Sequence, residues 1–96
     1  MVPLGAVEDL AARVWPAAIH AVVAAPDAKR GEQLVLVTEQ KNASRAALSA
    51  AARENGLPEI FVPRGIVSVP AVPILGSGKI DYPAVARLAG EFSHAS

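Results

Sequence analysis

The chain has 96 residues, no cysteine, and nine basic against nine acidic side chains, for a formal net charge of zero. That length fits one domain near the lower end of independently folding sizes. The absence of Cys excludes disulfide scaffolds, zinc–thiolate sites and thiol nucleophiles, and the balanced charge carries neither a nucleic-acid-binding basic stripe nor a polybasic membrane patch. Apolar residues make up 52% but aromatics only 4%, so the core must be built from Ala, Val, Leu and Ile. This sets the expected stability at the low end of the ~5–15 kcal/mol typical of domains. The amino terminus lacks the basic start and apolar run of a secretory signal, and no apolar run approaches the ~18 residues of a membrane span. A soluble domain is expected, and the absence of Cys is compatible with a reducing compartment without establishing one.

Leu4, Val7, Leu10, Ala11 and Val14 recur at helical spacing, which predicts a helix over Ala6–Trp15, stopped by Pro16. Glu8 and Asp9 near its start and Arg13 near its end suit the helix dipole. Ile19–Ala24 is short and β-branched and reads as a strand. The polar stretch Ala25–Glu32, with Pro26, Asp27 and Gly31, reads as a turn, and Leu34–Thr38 as a second strand whose unbroken apolar run predicts cover on both faces. The two strands form an antiparallel pair.

Asn42 or Ser44 can cap a helix running to about Asn55, with Ala47, Leu48, Ala51 and Ala52 on one face and Gly56 as its stop. Leu57–Pro63 is a connector, Gly65–Val69 a third strand, and Pro70–Gly78 a loop. Asp81 can cap a last helix that tolerates Pro83 in its first turn and ends near Leu88 or Ala89, leaving Glu91–Ser96 frayed. The order predicts an α+β domain: a small sheet of about three strands flanked by three helices.

Chemistry concentrates in Leu75-Gly76-Ser77-Gly78-Lys79-Ile80-Asp81-Tyr82. A P-loop would need Gly where Pro73 stands and a hydroxyl where Ile80 stands, so that reading fails; the dinucleotide fingerprint fails at Asp81. A single Lys on a glycine-flanked loop remains. Gly76 and Gly78 permit close approach of the backbone to another surface, and a Lys is a compact point charge that can meet a carboxylate and a phosphate together. On this chemistry alone, a solvated Lys in a turn is the simpler reading. His20, in an apolar strand without a neighbouring carboxylate, reads as a structural His. Trp15 reads as a core anchor, His94 as inert, and Lys29, Arg30 and Arg64 as solvated charges.

Leu57-Pro58-Glu59-Ile60-Phe61-Val62-Pro63, a strand, and Val72-Pro73-Ile74-Leu75-Gly76-Ser77-Gly78-Lys79-Ile80-Asp81 together resemble the closing region of the adenylate-forming ligase superfamily. That group includes acyl-CoA synthetases, luciferases and peptide-synthetase adenylation domains. Val2-Pro3-Leu4-Gly5-Ala6-Val7-Glu8 resembles the stretch after the family's hinge, which commonly ends in Glu-Ile-Glu; Ala6 departs from it. Tyr82 stands where relatives often carry Arg. His20, Gly31-Glu32, Leu34-Val35-Leu36, Gly56-Leu57-Pro58-Glu59, Val62-Pro63-Arg64 and Pro73–Lys79 look, more narrowly, like the end of bacterial acyl-acyl carrier protein synthetases, often fused to a 2-acylglycerophosphoethanolamine acyltransferase.

The resemblance implies the C-terminal lid domain of an AMP-forming fatty acyl ligase, with Lys79 catalytic on a loop supported by Gly76, Ser77 and Gly78. It implies a large N-terminal domain, absent from this chain, that binds ATP, Mg2+ and the fatty acid; this domain alone would bind no cofactor and be inactive. Coenzyme A or an acyl carrier protein would supply the accepting thiol, through a channel facing Val2, Pro3, Leu4 and Gly5. Arg64 could face the large domain or the acidic carrier. Asp81 is expected to cap its helix. The setting implied is cytoplasmic, with the whole protein at the cytoplasmic face of the inner membrane and feeding lysophospholipid reacylation. A second class stays open: a non-catalytic module of the same fold that docks a carrier protein or membrane acyltransferase.

Overall fold

The computed structural model describes residues 4–27 and 31–95. The elements in chain order are α1 (Leu4–Val14), β1 (His20–Asp27), β2 (Gly31–Thr38), α2 (Arg45–Glu54), a 3-10 turn (Glu59–Phe61), β3 (Gly65–Ser68) and α3 (Tyr82–Ala95). This is the expected α+β class: three helices on one three-stranded sheet of order β1-β2-β3. β1 pairs antiparallel with β2 as predicted. β3 runs parallel to β2, a direction that needs the long crossover through α2.

Three boundaries differ from the sequence reading. The β1–β2 ladder continues through Pro26↔Glu32 and Asp27↔Gly31, so much of the stretch expected to be a turn is strand; Pro26 is tolerated because β1 is an edge strand. Residues 28–30, with Lys29 and Arg30, lie outside the described residues. Helix α1 begins at Leu4, which leaves Glu8 and Asp9 beyond its first turn, too deep for the N-terminal dipole to reach. Helix α3 continues past Ala89 to Ala95, so the expected frayed tail is helical and contains His94.

Strand alternation divides the core into two layers. On one face Val22 and Leu36 join Val7, Leu10 and Ala11 of α1 and Leu48 and Ala52 of α2. On the other, Ala21, Val23, Val35 and Val37 meet Val72 and Val85 and Ala89 of α3. β2 is covered on both faces, as its composition predicted; Val35, Leu36, Val37 and Thr38 are fully buried. Trp15 is half-buried against the α1–α2 layer.

The helix ends follow local chemistry. Ser44, rather than Asn42, caps α2, its Oγ accepting from the Ala47 amide at 3.2 Å. Gly56 takes φ 69° and lets the Leu57 amide reach back to the Ala52 carbonyl at 2.8 Å, a left-handed C-terminal stop closed by half-buried Leu57.

Leu48 is fully buried between α2 and the sheet. Leu48→Ala is expected to lower unfolding free energy by about 2–5 kcal/mol, a large part of what so small a domain holds; urea denaturation of the purified domain measures it.

Candidate functional site

The loop around Lys79 is a tight hairpin. Ile74 and Ile80 form an antiparallel bridge. The Leu75 amide donates to the Lys79 carbonyl at 2.7 Å, the Gly78 amide to the Leu75 carbonyl at 2.8 Å, and the Asp81 amide to the Pro73 carbonyl at 3.0 Å. Gly78 has φ 89°, the left-handed position that closes a three-residue hairpin loop and that L side chains avoid. Gly76 shows no positive φ and has open space where a side chain would stand, so only Gly78 is demanded by the turn.

Both roots of the hairpin are anchored. Val72 is buried in the α3 layer and Ile80 packs against it. Alternation past Ile80 turns Lys79 outward, and Lys79, like Gly76, Ser77 and Gly78, is exposed. Among the described residues the Lys79 ammonium has no hydrogen bond and no ion pair. Asp81 fills the capping role expected of it: its carboxylate accepts from the Ala84 amide at 3.2 Å and its carbonyl from the Val85 amide at 3.0 Å.

Two carboxylates reach the hairpin's roots. Glu39, just beyond β2, accepts from the Val72 amide at 2.8 Å. Glu8, on α1, accepts through one oxygen from the Val22 amide at 2.9 Å and from the Tyr82 hydroxyl at 2.8 Å. Tyr82, the residue that departs from the family pattern, thus donates to α1 across the free edge of β1. Sequence reasoning gives Glu39 no role and places Glu8 only in the helix dipole and a family motif; partners 14 and 74 residues away leave no local signal for the contacts it makes.

The other expected site residues lie elsewhere. Val2 and Pro3 are outside the described residues; Leu4 opens α1 half-buried against the layer opposite the hairpin, and Gly5 is exposed. Arg64 is exposed on a groove of about 350 Å³ whose lining includes Arg45, Glu59 and Ile60. Arg45 there donates to the Pro63 carbonyl at 2.8 Å and lies 3.8 Å from Glu59. The groove contains no hairpin residue, so Arg64 and Lys79 do not share a site.

His20 is structural, as read. Its Nε2 donates to the Trp15 carbonyl at 2.9 Å, which fixes the tautomer because a carbonyl only accepts; Nδ1 lies 2.7 Å from the Thr38 hydroxyl. Among the described residues no three His, Asp or Glu gather as a metal ion would need, and no helix is long and apolar enough to cross a membrane.

Three helices on an open, mixed three-stranded sheet are the architecture of the C-terminal domain of AMP-forming ligases. No protein-family profile matches the chain, but solved structures do. The amide bond synthetase McbA from Marinactinospora thermotolerans is 26% identical, with a TM-score of 0.74 over 91% of this chain. MbtA of Mycobacterium smegmatis is 29% identical, with a TM-score of 0.76 over 88%. A Mycobacterium tuberculosis fatty acyl CoA synthetase, 21% identical with a TM-score of 0.71 over 93%, shares the fold. The match takes up 18%, 16% and 17% of those chains, so this chain spans about a sixth of their length. The neighbours support the adenylate-forming ligase class, with this chain as its small domain.

Tyr82 is the only Tyr in the chain. Partial burial, then the hydrogen bond to Glu8 and that carboxylate's charge, push its pKa from 10.0 up to about 12. A raised folded-state value favours the neutral phenol, so this contribution to stability is complete below pH 10 and lost as pH rises toward 12. Spectroscopic titration of the domain should show tyrosinate forming only near pH 12, and Glu8→Gln should move the midpoint back toward 10.

Proposed function

We propose that this chain is the mobile C-terminal domain of an ATP-dependent, AMP-forming fatty acyl ligase, and that Lys79 is its catalytic residue. The observation that carries the reading is the Lys79 hairpin. It is rooted in the core at Val72 and Ile80 and bonded across its strands, yet its ammonium is exposed and has no partner among the described residues. A rigid support for an unpaired charge suits delivery to another surface better than local stabilisation, since a charge that already had a partner would have to give it up.

In this reading a large N-terminal domain holds ATP and the fatty acid. The fatty acid carboxylate attacks the α-phosphorus, the bond to the departing pyrophosphate breaks, and acyl-adenylate forms. Negative charge on the transferring group meets the Lys79 ammonium in a closed, water-poor site, where such a contact is worth more than in water. Mg2+, held in this reading by the large domain, would neutralise phosphate charge. The small domain then rotates Lys79 away, and the thiol of coenzyme A or a carrier protein attacks the acyl carbonyl of the acyl-adenylate, forming the thioester as the bond to AMP breaks and AMP leaves. The segment Val2–Gly5 would face the thiol channel. In support, α1 packs on the sheet face opposite the hairpin's roots, so one rotation can exchange the surfaces presented.

The preference for a carrier protein, with a role in lysophospholipid reacylation in the cytoplasm, rests on the narrower sequence resemblance. The groove beside Arg64 supports it by presenting the exposed Arg64 guanidinium next to exposed Ile60, with Arg45 there already paired to Glu59; Arg64 is the charge suited to an acidic partner.

Added to a matching ligase that lacks its small domain, this chain should restore acid-dependent ATP–pyrophosphate exchange. Lys79→Ala should reduce that rate about 10²–10³-fold, the scale for loss of one transition-state donor, with acyl transfer from preformed acyl-adenylate little changed. Rescue undiminished by Lys79→Ala would overturn the assignment, and carrier binding without rescue would favour a non-catalytic docking module. Arg64→Glu should slow acylation of a carrier protein while leaving pyrophosphate exchange intact; equal carrier acylation by both proteins would remove Arg64 from the interface.

A further inference from the structure

Among the described residues nothing binds the Lys79 ammonium, so what the fold sets is where the hairpin carries the base of that side chain. The hairpin's own bonds, Leu75 to Lys79, Gly78 to Leu75 and Asp81 to Pro73, hold its strands together but do not orient it on the sheet. Orientation comes from its two legs. Each leg bears one hydrogen bond to a carboxylate from a distant part of the chain.

On the entering leg, Glu39 accepts from the Val72 amide across 33 residues of sequence. Val72 is 3% exposed, so its amide has little access to water if the carboxylate leaves. On the leaving leg, Tyr82 donates to Glu8 across 74 residues. The same Glu8 oxygen is fixed by the Val22 amide on the free edge of β1. Bonds to ionised acceptors are shorter and stronger than neutral ones, and here they brace a hairpin whose first-strand residues Ile74 and Leu75 are each 47% exposed.

Edge protection alone does not account for this arrangement. The Val22 amide is satisfied by Glu8 whether or not Tyr82 binds, and the Tyr82 side chain lies in a residue 41% exposed that could hydrogen-bond to water instead. Its hydroxyl is directed to α1 all the same, at 2.8 Å.

We infer that Glu39, and Glu8 acting through Tyr82, are positioning residues that clamp the two legs of the Lys79 hairpin and so set where the ammonium is delivered. The inference rests on the assignment of Lys79 as the catalytic group. Neither carboxylate touches substrate; each acts through the backbone or side chain at a hairpin root. Catalysis by a placed charge is sensitive to displacements of about 1 Å, so loosening either leg is expected to appear in the adenylation rate.

The test uses the ligase assembled from this domain and its large domain, with ATP–pyrophosphate exchange and acyl transfer from preformed acyl-adenylate measured separately. Tyr82→Phe removes one hydroxyl and leaves the Glu8–Val22 bond in place. Glu39→Ala removes the other clamp, and Glu39→Gln, whose amide oxygen can still accept from Val72, should recover most of the loss. Tyr82→Phe and Glu39→Ala should each lower the kcat of exchange about tenfold, with KM for ATP and acid and the rate of acyl transfer nearly unchanged. In a Lys79→Ala background neither should lower exchange further.

Equal losses in both half-reactions, or the same loss in the Lys79→Ala background, would reduce the clamps to fold stability and overturn the inference. So would wild-type exchange in Tyr82→Phe and Glu39→Ala when Lys79→Ala itself is impaired. Exchange unaffected by Lys79→Ala would instead remove the assignment on which the clamps depend, an outcome readable on its own.

Discussion

β2 lies in the middle of the sheet with Val35 and Val37 on one face and Leu36 on the other, all fully buried. With aromatics at 4% of the chain, no single layer of Val, Leu and Ala buries enough area to offset the entropy of ordering a small domain. Covering both faces of one short sheet doubles the apolar contact made by the same strand. The rest of the architecture follows from that need. Helices α1 and α2 cover one face, and α3 with Val72 covers the other, so the chain must cross from the first face to the second after β3. The Lys79 hairpin lies on that crossing.

A sheet covered on both faces still has open edges, and its covering helices need ties that apolar packing alone does not supply. Polar side chains, from buried His20 to exposed Arg45, provide them. His20 bridges Thr38 and the Trp15 carbonyl, joining the end of α1 to the base of the β1–β2 pair. Arg45 on α2 reaches the Pro63 carbonyl before β3. Glu8 closes part of the β1 edge and reaches Tyr82 at the start of α3. Among the described residues no buried side-chain polar atom lacks a partner. Such bonds add little net stability each, but leaving one unmade is expensive, so they select one arrangement of the helices over near alternatives.

What could be read in the sequence was local or periodic. The apolar run Leu34–Thr38, the helical spacing around Leu10 and Leu48, the Gly56 stop and the Asp81 cap each follow from neighbours within a few residues, and each is present in the structure. The misplaced boundaries show competing forces. Pro26, Asp27 and Gly31 carry turn chemistry, yet the antiparallel ladder continues through them because pairing with an extended partner outweighs local preference at the edge. The parallel direction of β3 and the roles of Glu8 and Glu39 were not legible for a different reason. They depend on contacts between residues far apart in sequence, and an exposed-looking Glu in a helix carries no mark of the amide or hydroxyl it will meet. The Lys79 segment was legible as a motif; its support by two remote carboxylates was not.

The chemistry of Lys79 depends on what surrounds it. A unit charge about 4 Å from an opposite charge gains about 1 kcal/mol in water, and about 4 kcal/mol at the effective dielectric of a partly buried site. In this domain Lys79 stands in the first condition, exposed on the hairpin just after its tip, where its attraction for a phosphate would be small and easily screened. The difference arises only when a second surface excludes water around it. A domain that kept its Lys buried would carry the desolvation penalty permanently and would lose the proton or require an internal partner. Holding the charge outside, on a hairpin fixed in shape by Gly78 and in direction by its roots, defers that penalty to the moment of closure, when the substrate's own negative charge offsets it. On the proposed reading, this division explains why the hairpin is rigid while its functional group is left unpaired: geometry can be prepared in advance at little cost, whereas the electrostatic environment can be made only by the partner.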